Sequence, residues 1–159
     1  MAEWDRNAYK GPGVHLPPPL LALASAAAGV GLQRIVPLPI PLGDPIRIGG
    51  GILAAAALLL AVAGLFQFSR AGTTVRPDRA PTALLERGPY RFSRNPLYLS
   101  LAALQMGLGL AFGNLWVALL ALATAALLAR FVIVKEERYL AEKFGEAYRR
   151  YCRRVRRWL

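Results

Sequence analysis

Two stretches of this chain leave little choice of solvent. From Ile48 to Phe68 the only polar side chain is Gln67, and from Leu99 to Ala129 only Ser100, Gln105, Asn114 and Thr124 interrupt an apolar run. About 20 apolar residues match the hydrocarbon thickness of a bilayer when helical, and in lipid each segment must satisfy its own backbone polar groups. The expectation is an all-α integral membrane protein. The 55% hydrophobic content of its 159 residues agrees, being more than one water-soluble domain usually carries.

About four transmembrane helices are expected, roughly Leu16–Val36, Ile46–Phe68, Leu97–Phe112 and Leu115–Val134. The alternating prolines of "PLPIPLGDP" (37–45) cannot sustain a helix and separate the first two. Only Gly113 and Asn114 join the last two, which predicts a tight helical hairpin. A cleaved signal peptide is a poor reading of the first span. Its leader is long and proline-rich, and carries Glu3 and Asp5 beside Arg6 and Lys10.

The net charge of +11 would suit a nucleic-acid binder, but the basic residues flank the apolar runs instead of forming a separate patch. Six arginines lie in residues 69–96, and nine Lys and Arg residues in the tail from Lys135. By the positive-inside rule both segments face the cytoplasm, which implies a bacterial-type inner membrane and no nucleic-acid partner. The single Cys152 and single His15 make a metal site an unpromising reading. In the tail, Leu140, Phe144, Tyr148, Tyr151 and Val155 recur at helical spacing, with Glu146 and Arg150 set for an i,i+4 pair. The expectation is a C-terminal cytoplasmic amphipathic helix, anchored at the interface by Trp158.

Three constellations stand out. In "RGPYRFSRNPLYLS" (87–100), Asn95 and Pro96 have the types of an N-cap and a first helical residue. The cluster of Tyr90, Arg91, Arg94 and Tyr98 around them equally suits an anionic ligand group at a helix N-terminus, so cap and site both stay open. Second, Glu136 and Glu137 sit where the fourth span ends, and Arg130 lies within that span, where an ionisable side chain is costly. Seven residues apart, Arg130 and Glu137 fall on nearly one helical face, while Glu136 shares a face with Val132. Third, Gly107, Gly109 and Gly113 favour close helix packing over a backbone surface that admits a ligand.

Taken together, "RAGTTVRPDRAPTALLERGPYRFSRNPLYLS" and "KEERYLAEKFGEAYRRYCRRVRRWL" resemble the membrane methyltransferases related to isoprenylcysteine carboxyl methyltransferase and the phospholipid N-methyltransferases. The resemblance covers roughly Arg70 to Leu159. It divides the chain into a leader and two scaffold helices (1–69) and a methyltransferase core (70–159). It implies an enzyme that transfers methyl from S-adenosyl-L-methionine to a lipophilic acceptor entering from the bilayer. By position, the cofactor-binding residues would be Leu84, Leu85, Tyr90, Asn95, Pro96, Leu97, Tyr98 and Glu136, and the candidates for catalytic roles are Arg130, Glu137 and Tyr98. A carboxylate or aromatic face suits the donor's cationic groups, and in-line transfer needs positioning more than acid–base machinery.

Two positions depart from the pattern. Asn95 stands where the family usually has His, and Val132 stands where the prenylcysteine enzymes resemble one another in an arginine one turn before the glutamate. The second departure weighs against a prenylcysteine acceptor. Phospholipid-type amine methylation and a sterol-reductase-like oxidoreductase using a nicotinamide are the alternatives. A small multidrug-type transporter fails for want of an acidic residue in the first two spans.

Overall fold

The computed structural model describes residues 17–38, 43–73 and 81–159. Its elements are α1 (Pro18–Ile35), α2 (Asp44–Ala71), a short 3₁₀ turn (Gly88–Arg91), α3 (Pro96–Ala111), α4 (Leu115–Leu128), a π turn (Ala129–Ile133) and α5 (Val134–Arg154). The leader with His15, much of the proline-rich linker, and Arg76 and Arg79 of the basic loop lie outside the described residues. All the elements are helical. Asp44–Ala71 and the helical stretch Leu115–Arg154 are long and apolar enough to cross a membrane.

The helices pack in the order α2–α3–α4–α1, so α1 and α2 flank the α3–α4 hairpin on opposite sides. The hairpin turn falls where the sequence places it: Gly113 takes a positive φ of 70°, and Asn114 accepts a hydrogen bond from the Val117 N–H as the cap of α4. Glycines then set the spacing between helices. A Cβ on Gly107 would lie 2.6 Å from the Ala54 nitrogen of α2, one on Gly50 would lie 2.6 Å from Ala111 N, and Gly109 abuts Ala118 of α4. Gly107 and Gly109 therefore serve helix packing, the expected mode for small residues between apolar helices.

Three polar residues inside the apolar helices satisfy one another. Gln105 Nε2 donates to Ser25 Oγ at 3.1 Å, and Thr124 Oγ1 lies 2.9 Å from both Ser25 Oγ and Gln105 Oε1. This cluster joins α1, α3 and α4 at one point, with Gln105 and Thr124 buried. In an apolar surround an unpaired amide or hydroxyl is costly, so the network fixes the register of α1 on the hairpin. Gln105→Leu is expected to lower stability in detergent by about 1 kcal/mol, and Gln105→Leu with Thr124→Val by less than the sum of the two single losses. Additive losses in thermal unfolding would show that the three side chains do not act together.

α4 runs into α5 without a break in the helix, but not with unchanged phase. The π turn accommodates one extra residue and rotates all that follows by roughly 100°. Arg130 is consequently not opposite Glu137: it is exposed, its guanidinium 5.7 Å from the Phe131 ring. On α5 the expected apolar face is present. Tyr148, Tyr151 and Val155 are buried, with Leu84, Leu140, Ala141, Phe144 and Cys152 packed on them. The Glu146–Arg150 pair is not formed. Gly145 (φ 52°, ψ −124°) interrupts the helix, Glu146 begins a new turn, and its carboxylate binds Arg149 and Arg153 instead.

Candidate functional site

The site grows out of the loop that enters α3. Gly88 has φ 58°, and a side chain there would meet Gln67 of α2. That contact places the one polar residue of the apolar run Ile48–Phe68 beside the loop. Tyr90 is buried edge-on to Phe68, with ring centroids 6.0 Å apart, and its carbonyl accepts a 2.7 Å hydrogen bond from the Tyr151 hydroxyl of α5. Helix α3 begins at Pro96 with Asn95 before it, as expected, but the Asn95 side chain makes no capping bond. Its Nδ2 donates instead to the Arg157 carbonyl at 3.1 Å. The position is that of a cap while the side chain serves the tertiary fold.

Two turns of helix meet here. In the first turn of α3, the Tyr98 hydroxyl donates to Glu136 Oε1 at 2.6 Å. Glu136 belongs to the first turn of α5, just past the apolar run, and Val132 beneath it forms with Leu128 a buried cluster on which Tyr98 and Leu101 pack. Glu136 and Val132 thus do share a face, and Tyr98 touches both Glu136 and the Leu128–Val132 cluster. Burial pushes the Glu136 carboxyl up to about 7, the Tyr98 hydrogen bond works against this, and the neighbouring Glu137 charge adds to it. No cation compensates the carboxylate among the described residues.

Glu137 is placed differently. It lies 3.3 Å from Arg94 Nη2 and takes Arg157 in a two-point contact, Nε at 3.1 Å and Nη2 at 2.6 Å. The two glutamates differ as their faces implied: one is tied into an arginine cluster, the other held by a phenol. Of the remaining expected site residues, Pro96 is fully buried, Leu97 is half-buried against Gly64, Leu84 packs on the tyrosines of α5, and Leu85 is half-buried. Tyr90, Asn95, Tyr98 and Glu136 therefore gather where α3 and α5 begin, and Arg130 stands apart from them. Among the described residues no group of three His, Cys, Asp or Glu side chains assembles that could hold a metal.

Sequence reasoning missed Arg157 and Ser93. The backbone of residues 156 and 157 receives hydrogen bonds from both Arg94 and Asn95, and no local pattern joins positions some sixty residues apart. Arg157 reads only as one of many basic residues in the tail. The partner that singles it out, Glu137, is twenty residues away and across a kink.

A 63-residue uncharacterized protein of Haemophilus influenzae is 41% identical over its whole length, which corresponds to 40% of this chain. No solved structure matches. The family model for phospholipid methyltransferases matches residues 46–147, a span that holds nearly all of α2, the loop, the α3–α4 hairpin and both glutamates. The chain is a member of the phospholipid methyltransferase family.

Proposed function

We propose that the protein is an integral membrane methyltransferase that uses S-adenosyl-L-methionine and methylates a lipophilic acceptor. One observation carries the reading: Glu136 presents a buried carboxylate held by Tyr98, with no cation beside it among the described residues. A buried anion lacking a counter-charge is costly unless a ligand supplies one. The donor's sulfonium and amino groups are cations, so the residues fit it. When bound, the donor supplies the activated methyl group.

The chain's own part is positioning. Tyr98 orients the carboxylate, Tyr90 and Asn95 frame the entrance to α3, and Leu84, Leu85, Pro96 and Leu97 form the apolar wall. Glu137 holds the surrounding arginines in place, while Arg130 stands apart from this cluster. In-line transfer between oriented partners gains most of its rate from such preorganisation. In this reading α1 to α4 are four membrane spans, α5 is the amphipathic helix on the cytoplasmic side of a bacterial-type inner membrane, and the donor enters from the cytoplasm. The arginine asymmetry around the apolar helices supports that orientation.

The family supports a second, narrower reading, in which the acceptor is a phospholipid headgroup amine. Against a prenylcysteine stands Val132, which is buried and offers a substrate carboxylate no charge. The test is methyl transfer from radiolabelled S-adenosyl-L-methionine with three acceptors: phosphatidylethanolamine, a farnesylated cysteine analogue and a small lipophilic thiol or amine. The expected result is transfer to the phospholipid or the small lipophile, with the farnesylated cysteine slowest. Fastest turnover of the farnesylated cysteine removes the Val132 argument. Transfer only to a water-soluble polar acceptor removes the lipophilic one.

A further inference from the structure

Three consecutive residues before α3 bind one short segment beyond α5. Ser93 Oγ donates to the Arg157 carbonyl at 3.4 Å, the Arg94 N–H to the Arg156 carbonyl at 3.0 Å, and Asn95 Nδ2 to the Arg157 carbonyl at 3.1 Å. The Arg157 side chain then turns back onto Glu137, which also faces Arg94. The segment thus joins the first turn of α3 to the first turn of α5, the two turns that meet at Tyr98 and Glu136.

We infer that Arg157 is a positioning residue of the donor site: its grip on Glu137 seats the segment 155–157 against residues 93–95 and so sets Tyr98 against Glu136. The inference rests on the proposed reading of Glu136 and Tyr98 as donor ligands. The fork geometry matters. Two guanidinium nitrogens on two carboxylate oxygens fix orientation as well as distance, which a single ammonium cannot do. The pair is partly open to solvent, with the Arg157 side chain 40% and the Glu137 side chain 16% exposed, so screening keeps its share of global stability small. Its leverage is local. Ser93 is almost fully buried and Asn95 nearly so, and they have these carbonyls to bond to only while the segment is seated.

The test compares Arg157→Ala, Arg157→Lys and Arg156→Ala, the last a control because only the Arg156 carbonyl is used. Two measurements are made on the full-length protein in detergent: amide hydrogen exchange across residues 93–98 without ligand, and calorimetric titration with S-adenosyl-L-methionine. Arg157→Ala should speed local exchange, leave the thermal midpoint nearly unchanged and weaken donor binding roughly tenfold. Arg157→Lys should fall between it and wild type, and Arg156→Ala should match wild type. Unchanged exchange in Arg157→Ala overturns the clamp. Faster exchange with unchanged donor affinity overturns the positioning role. Failure of the wild-type protein to bind the donor overturns the functional reading and this role with it, while the exchange result still decides whether the clamp exists.

Discussion

Replacing Glu136 with Gln is expected to lower the affinity for S-adenosyl-L-methionine by about ten- to a hundredfold at pH 8, the equivalent of one charge-assisted hydrogen bond of about 1.5–3 kcal/mol. The substitution keeps the size of the side chain and an acceptor for the Tyr98 hydroxyl, so the local packing survives. It removes only the negative charge. Calorimetric titration of both proteins reads the difference, and equal affinity in a folded variant takes Glu136 out of the site.

The pH dependence sharpens this result. Burial holds the Glu136 carboxyl near 7, well above its ordinary 4.5, so below neutrality the side chain is mostly protonated. A cationic ligand prefers the ionised form, so donor affinity should fall as pH drops below 7 and level off near that of Glu136→Gln, a loss of roughly tenfold or somewhat more between pH 8 and pH 5. The donor's own amine only gains charge on acidification and cannot produce a loss in that direction. Glu136→Gln should flatten the profile. For stability without ligand the sign is opposite. A raised carboxyl favours the folded state below the ordinary value of 4.5, and that contribution is lost as pH rises through about 7. Falling stability and rising donor affinity over the same interval are the combined signature. A wild-type affinity profile as flat as that of the variant would show that the carboxylate is not the group being titrated.

What the sequence discloses, and what it hides, divides along sequence distance. The hairpin at Gly113–Asn114, the start of α3 at Pro96 and the apolar face of α5 follow from local rules, because turn glycines, prolines and helical periodicity act within a few residues. The separate surroundings of Glu136 and Glu137 were legible for the same reason, since adjacent helical residues point apart. The relation of Arg130 to Glu137 was not. A π turn leaves no mark in the apolar run "ARFVI", yet it rotates everything beyond it. Nor was the use of Asn95 visible. A capping residue before proline reads as a cap, and only the folded chain brings the Arg157 carbonyl within reach to claim its amide. The Ser25–Gln105–Thr124 cluster shows the same limit: each residue is a plain interruption of an apolar helix until three helices bring them together.

Enlarging Gly107 should disturb more of the molecule than any change at the site itself. A Cβ there would lie 2.6 Å from Ala54 N, 2.7 Å from Gly50 O and 3.0 Å from Ala54 Cα, all backbone atoms of α2 that no rotamer change can move aside. Gly107→Ala is therefore expected to cost about 1–3 kcal/mol through overpacking, and Gly107→Leu to leave little folded protein. The consequence reaches the loop before α3, because the far end of α2 carries Gly64 against Leu97, Gln67 against Gly88 and Phe68 against Tyr90. Pushing α2 away from α3 withdraws all three supports together, so donor affinity should fall along with stability. Gly51 is the control: a Cβ there meets nothing within 4 Å, and alanine in a helix interior should stabilise by about 0.5–1 kcal/mol. Thermal unfolding of the three variants in one detergent reads the comparison. Gly107→Ala melting with wild type would mean that the α2–α3 contact is looser than these distances require.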